Sequence, residues 1–511
     1  MNATVHAGCL VGVESRPVEV EARIVPGLPG GYELVGLPER GVREARARVA
    51  SALDAQGFAL PPARFLVNLA PGDLRKTGAG FDLAIALALL AASDQLPAPV
   101  LADVLVVAEL GLDGRLRPVR GLLPQLCGAR DRGLRSAIVP AGVAIEPSFV
   151  AGLEVFPAAT LAEAVGHLDG SAPLRPLGPR VAAEAPVATG PDLAEVRGQQ
   201  TVRRALEIAA AGGHHVLLVG PPGAGKTLLA RCLPGLLPGP DPEEGATIAV
   251  VASAAGLPRP PGRPFRAPHC SASAAALLGG GEPIRPGEVT LAHGGVLFLD
   301  ELPEFRRDAI EGLRTTLEHG EVHLSRARER VRMPAAPLVV GALNPCPCGY
   351  ADDPERRCTC TPAAIERYRG RISGPLLDRF DLHLRVPRVP ARELRRRSGG
   401  EPSATVRERV VRARKTRRAR TAASGPPRRL EDLLVGVDGD ALTLLDAATE
   451  AMALSARAYG KALRVARTIA DLEGAERVAA RHVGEALQYR PIVGRRAAPA
   501  RESPSAGPPT H

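Results

Sequence analysis

The sequence predicts an α/β fold, with a layered αβα core and a helical carboxy-terminal part, on three observations. An apolar strand at Val216–Val219 runs directly into GPPGAGKT and then into helix-forming sequence. Apolar strand-like stretches alternate with helix-like stretches throughout residues 191–390. Helical periodicity without strands then fills residues 430–490.

Composition frames that reading. The chain has 511 residues, 45% of them hydrophobic, which suffices for several globular cores. It has no Trp and 3% aromatics, so those cores must be built from Leu, Val and Ala. The longest apolar run, DLAIALALLAA, is too short to span a bilayer, and the start MNATVHAGCLVGVE lacks the pattern of a secretory signal. The expectation is a cytoplasmic protein with reduced thiols and no membrane partner. A formal net charge of +10 and a pI of about 9.6 favour a polyanionic partner such as nucleic acid. An Arg-rich, Lys-poor composition is the alternative source of that charge.

In chain order, residues 1–168 form the first unit. VEVEARIVPG reads as a strand and RGVREARARVASALDAQG as an amphipathic helix. VLVVAELGLDGRLRPV reads as a hairpin with a type I′ turn at Asp113-Gly114. Residues 169–190, rich in Pro, Ala and Gly, read as a linker, and residues 191–390 as the α/β core. Residues 391–429 form a basic connecting segment, a helix flanked by loops. Residues 430–490 form a small helical bundle, and residues 491–511 a disordered tail. There is no internal repeat.

The order G-x-x-x-x-G-K-T between a strand and a helix is a P-loop. Gly220, Pro221, Pro222, Gly223, Ala224 and Gly225 give a loop whose N–H groups converge on phosphate oxygens, aided by the helix amino-terminus. Lys226 supplies a point charge to the β- and γ-phosphates, and the Thr227 hydroxyl a ligand for Mg²⁺. GGVLFLDELPEF adds a buried strand ending in two carboxylates: Asp300 to hold the metal and Glu301 to act as general base. A third strand, PLVVGALN, ends at Asn344, whose amide is placed to orient a lytic water. ATP and Mg²⁺ are the expected cofactors.

With these motifs, residues 191–490 resemble an AAA+ ATPase of the magnesium-chelatase-like branch, and the whole chain resembles the YifB/ComM family. The resemblance rests on VRGQQTVRRALEIAAAGGHHVLLVGPPGAGKT, FRAPHCSASAAALLGGG, GGVLFLDELPEF, LNPCPCGY, SGPLLDRFDLH and RVARTIADLEG. It implies a homo-oligomeric ring, usually a hexamer, in which Arg379 of GPLLDRFDLH completes a neighbour's site. It implies a carboxy-terminal helical lid whose sensor arginine maps to Arg457, with Arg464 as the other candidate. It also implies an N-terminal Lon-protease-like α+β domain. There, RKTGAGFDLAIAL places Gly78 where a protease has its serine; Thr77 is adjacent, but no Ser-Lys dyad can be read, so this domain is expected to be non-catalytic. The implied activity is that of an ATP-dependent, helicase-like DNA motor in branch migration during homologous recombination and natural transformation. A protein-remodelling ATPase resembling a chelatase motor subunit is the rival; it should ignore DNA.

LEHGEVHLSRARERVRMPA reads as a β-hairpin in which Arg326, Arg328, Arg330 and Arg332 recur at every second residue, hence on one side. Like charges so aligned repel unless a polyanion faces them, although a solvated basic edge is the plain alternative. The resemblance places this hairpin in the ring's pore. LLGGGEPIRPGEVT fits a second pore element, the helix-2 insert, with Arg285 as its donor. No aromatic ladder accompanies these arginines, so DNA contacts are expected to be backbone-directed and sequence-independent.

Cys346, Cys348, Cys358 and Cys360 are four of the chain's 8 cysteines, spaced as two Cys-x-Cys pairs. Four reduced thiols so close suit structural Zn²⁺, with free thiols in a loop as the alternative.

Overall fold

The computed structural model describes residues 2–25, 30–178, 190–325, 330–351, 353, 355–395, 400–425 and 429–490. The expected tail, 491–511, lies outside them, as does the middle of the expected linker, 179–189.

The amino-terminal unit is built on a seven-stranded mixed sheet. Strands β1 (Asn2–Val11) and β2 (Glu14–Val25) form a long antiparallel hairpin, paired from Asn2 with Arg23 to Val11 with Glu14. Beside it lie β3 (Gly31–Val35) and β4 (Arg64–Ala70); on the other side lies β5 (Val104–Val106). Alternation decides the faces: Val18, Val20 and Ala22 are buried, and Glu19, Glu21 and Arg23 exposed. The run DLAIALALLAA becomes the helix Asp82–Ala92, every residue of which is buried against β1 and β2. Its Asp82 is held by Arg48 at 2.6 and 3.0 Å and by the Leu110 N–H at 3.2 Å. Burial pushes that carboxyl up, against the pull of Arg48.

The expected hairpin within residues 104–119 divides differently. Its β5 part joins the large sheet, and only the short strands β6 (Glu109–Leu110) and β7 (Leu116–Arg117) pair as a hairpin. The connection is five residues long, closed by Gly111 N–H to Arg115 O and Gly114 N–H to Gly111 O. Gly114 takes positive φ and Asp113 does not, so the turn is not type I′. Strands β8 (Ser136–Pro140) and β9 (Glu154–Ala158) complete the sheet.

The second sheet is parallel, with five strands. These are β10 (Val216–Val219), β11 (Phe265–Arg266), β14 (Val296–Leu299), β17 (Leu338–Leu343) and β18 (Leu382–Arg385). Their spatial order is β11-β14-β17-β10-β18. Helices cover both faces, so β10, β14 and β17 are apolar throughout rather than alternating. Two ribbons project from this core. One is β12 (Gly279–Gly280) with β13 (Arg285–Pro286); the other is β15 (Glu321–Ser325) with β16 (Arg330–Pro334).

Both ribbons meet the amino-terminal unit. Val11 and Val13, flanking Gly12 in the β1–β2 turn, share an apolar cluster with Ile284, Val322, Val331 and Met333. Gly12 has φ +64°, and a Cβ there would lie 2.6 Å from Val331 Cγ1, so glycine is required twice over. Arg75 pairs with Glu282 across the same boundary, and Ser253 O accepts from the Gly121 N–H at 2.9 Å.

The basic connecting segment packs against the chain on both sides of it. It forms the helix Ser403–Ser424, which buries Val406, Val410 and Ala413. Arg414 and Arg417 donate to Ala210 O (2.8 Å) and Gly212 O (2.5 Å), satisfying carbonyls at the end of the helix Gln200–Gly212. Arg420 makes a bidentate pair with the buried Asp471 on the helix Ala456–Glu473. That helix and its neighbours Gly439–Met452 and Ala480–Gln488 form the carboxy-terminal helical group. Among the described residues, no helix is long and apolar enough to cross a membrane.

Candidate functional site

Three parallel strands end at one edge of the five-stranded sheet: β10 at the P-loop, β17 at Asn344 and β14 at Asp300-Glu301. Val219 pairs with Leu343, and Leu299 with Gly341, so Asn344 stands between the loop and the two acids. Gly220 is packed against the chain leaving β18, where a Cβ would collide with the Val386 carbonyl. Gly223 and Gly225 take φ +76° and +88°, which turns the loop's N–H groups before the helix Lys226–Leu236 begins.

The Lys226 ammonium donates to Gly220 O (2.6 Å), Pro221 O (3.1 Å) and Asn344 Oδ1 (2.9 Å). Burial pulls its pKa below the ordinary lysine value, and Asp300 and Glu301 oppose that pull. Thr227 Oγ1 donates to Asp300 Oδ2 at 3.1 Å, so one hydroxyl and one carboxylate meet as hard oxygen donors of the kind Mg²⁺ prefers. Glu301 is exposed and sits in the left-handed region at φ 51°, ψ 45°, with its N–H donating to Asp300 Oδ1 at 3.0 Å. A non-glycine residue held there is strained by about 1–3 kcal/mol, a cost that concentrates at working sites. The arrangement can cradle a polyphosphate, hold a hard cation and present a carboxylate base beside an amide.

Arg379 and Arg457 lie together, away from this constellation. Arg379 pairs with Glu318 of its own chain. Burial lowers the Arg379 pKa, and the charges of Arg457 and Arg314 push the same way. Arg457 and Arg464 are exposed on the helix Ala456–Glu473. On the β15–β16 ribbon, Arg330 and Arg332 occupy the outer face opposite buried Val331 and Met333; Arg326 and Arg328 lie outside the described residues. Arg285 is exposed on the neighbouring ribbon.

The Sγ atoms of Cys346, Cys348, Cys358 and Cys360 all lie within 4.8 Å of one another. Cys346 is 3.3 Å from Cys348 and 3.7 Å from Cys358, and Cys348 is 3.6 Å from Cys358. Tetrahedral zinc with bonds of about 2.3 Å sets its sulfurs about 3.8 Å apart, so the four thiols fit that ion. Backbone N–H groups of Ala351 and Cys348 donate to Cys346 and Cys360 at 3.2 and 3.3 Å, as outer-shell donors to bound thiolates do.

The cysteine loop does more than the sequence discloses. Gly349, at φ +86°, lies against the P-loop, where a Cβ would stand 2.5 Å from Pro222 Cδ. Tyr368, buried beside the Asn344 backbone, has its phenol pushed up to about 12 by burial. Arg369 donates to Pro345 O at 3.2 Å. None of these three contacts has a sequence signature: Gly349 lies in an irregular loop, and Tyr368 and Arg369 end the short helix Pro362–Arg369 that follows it.

Comparisons with known proteins agree along the chain. Residues 192–394 match the family described as magnesium chelatase, subunit ChlI, and residues 400–490 match its ChlI C-terminal family. Residues 20–142 match subunit ChlI of Mg-chelatase. The chain is 43% identical over 499 residues to the uncharacterized protein YifB of Salmonella typhimurium, covering 96% of this chain and 97% of that one. It is 43% identical over 503 residues to competence protein ComM of Haemophilus influenzae, covering 96% and 98%. A shorter stretch of 129 residues is 33% identical to DNA repair protein RadA of Mycobacterium tuberculosis, covering 24% and 26%.

Gly349→Val tests the contact between the cysteine loop and the P-loop. The added side chain must displace Pro222, and the Kd for ATP is expected to rise on the order of tenfold, about 1.4 kcal/mol. Titration with a fluorescent nucleotide measures it; an unchanged Kd in folded protein would uncouple the two loops.

Proposed function

The chain belongs to the YifB/ComM family of magnesium-chelatase-like AAA+ ATPases, and from that premise we propose that it is a ring-forming, ATP-driven motor that moves on DNA. The observation that carries the ATPase reading is the convergence of Lys226 with Asn344 and of Thr227 with Asp300 at one sheet edge. In this reading Lys226 exchanges its carbonyl partners for the β- and γ-phosphates of ATP. Its departure frees the Asn344 amide to orient the attacking water, whose proton Glu301 accepts. Thr227 and Asp300 would hold Mg²⁺, which neutralises phosphate charge when bound. Arg379 serves the γ-phosphate of the next subunit, giving up Glu318 for a phosphate oxygen. Arg457 is the accompanying lid sensor.

DNA enters through the two ribbons, with Arg285, Arg330 and Arg332 as phosphate donors, joined by Arg326 and Arg328 of the same sequence run. A relative named for competence supports that polymer. That name also favours a part in natural transformation, for which branch migration in recombination is the activity proposed, over remodelling of a protein partner. We assign Zn²⁺ to the four cysteines as a closed structural site that fixes the loop beneath the P-loop. The amino-terminal unit is read as a Lon-protease-like module without catalysis, since Gly78 carries no nucleophile.

Lys226→Ala is expected to lose ATP binding, whereas Glu301→Gln should bind ATP and hydrolyse it on the order of 10²-fold or more slowly. Nucleotide titration beside phosphate release measures both, and equal loss of binding in the two variants contradicts the division of roles. Replacing Cys346 and Cys348 by Ser should release about one zinc per chain, measured by elemental analysis, while ATP affinity is retained within a few-fold; wild-type protein purified without metal would remove the zinc assignment. Changing Arg326, Arg328, Arg330 and Arg332 to Ala together should make the log–log salt dependence of single-strand binding shallower by roughly 3. An unchanged slope places the DNA elsewhere, and ATPase activity indifferent to DNA would favour the remodelling rival.

A further inference from the structure

Lys461 lies on the helix Ala456–Glu473, one turn beyond Arg457, yet its side chain points into the loop that carries Arg379. Its ammonium donates to Asp378 O and to Phe380 O (3.3 Å), the carbonyls on either side of residue 379. It also pairs with Asp381 Oδ1 at 2.9 Å. A lysine ammonium has three N–H donors, and here each has an acceptor. A lysine serving only as the counter-charge of Asp381 needs one of these contacts; the other two fix the backbone around Arg379.

Asp381 extends the clamp. Its Oδ2 meets His214 Nδ1 at 3.3 Å, and its N–H donates to His215 O at 2.9 Å. These two histidines immediately precede β10, the strand that ends in the P-loop. Burial alone would push the Asp381 carboxyl up, but the His214 hydrogen bond and the charges of His214 and Lys461 hold it well below the usual carboxylate range. Lys461 itself is largely enclosed, with 14% of its side chain exposed.

We propose that Lys461 is the positioning residue for Arg379: it sets the arginine loop relative to the carboxy-terminal helices, so that movement of those helices is delivered to the neighbouring subunit as movement of Arg379. The proposal rests on the ring reading given above. The arginine's own grip on Glu318 must be exchanged for a neighbour's phosphate, and a loop pinned on both sides of residue 379 lets the side chain swing without the backbone following.

The test uses full-length protein and ATP. Lys461→Met should lower kcat on the order of 10²-fold, as a misplacement of about 1 Å does, with the KM for ATP nearly unchanged. Lys461→Arg, which keeps the charge and the donors, should recover most of the turnover. Mixed with Lys226→Ala subunits, Lys461→Met subunits should regain activity, because their intact P-loops then meet intact arginine loops. Mixed with Arg379→Ala subunits they should not, since neither partner supplies a working arginine. The control is Arg379→Ala mixed with Lys226→Ala, with subunit exchange verified. If the control recovers activity and Lys461→Met with Lys226→Ala does not, the positioning role is overturned and the ring reading stands. If the control fails as well, the ring reading falls and takes this inference with it. Wild-type turnover in Lys461→Met, or loss of its nucleotide affinity, overturns the inference directly.

Discussion

The Lys226 ammonium must be satisfied inside a half-buried loop, and one of the three oxygens that do so belongs to another strand. Asn344 can reach it only if β17 is the immediate neighbour of β10, which moves β14 and its acids one strand further out. Thr227 still reaches Asp300 across that spacing, so the acids face the loop from one strand away. Strand order, the apolar character of β10, β14 and β17, and the glycine at position 220 all serve this one arrangement. The chain leaving Asn344 then has nowhere to go but beneath the P-loop, which is where the cysteines fold it back.

The placement of the candidate site was largely legible in the sequence, because its residues sit at strand ends and strands announce themselves by apolar runs. The P-loop, the acid pair and Asn344 all fall where the runs stop. Contacts made by the chain beyond Asn344 were not legible. Gly349 against Pro222 and Tyr368 against Asn344 depend on a path that no periodicity encodes. Asp113-Gly114 shows the opposite failure. The dipeptide favours a two-residue turn, but the chain closes instead on Gly111, which accepts from the Gly114 N–H and donates to Arg115 O, with only Gly114 taking the left-handed conformation.

Charge was the least reliable guide. The arginines of residues 403–424 add to a net charge that favours a polyanionic partner, yet Arg414 and Arg417 close the end of a helix and Arg420 neutralises Asp471. Arg409 is likewise held by Glu401. Charge in this protein divides into residues held in internal pairs and residues left exposed, Arg330 and Arg332 among the latter. A count over the whole chain cannot tell one from the other.

The β1–β2 turn rests on those same ribbons through Val11 and Val13, and Gly12 leaves no space beneath it. The part that carries the P-loop is therefore not a freestanding piece. Trimmed of its amino-terminal unit, it would present Ile284, Val322, Val331 and Met333 to water as one oily patch, next to the arginines of β16. A shortened chain of that kind would tend to stick to itself before it stuck to anything else, and its solubility, more than its chemistry, would decide what an assay reported.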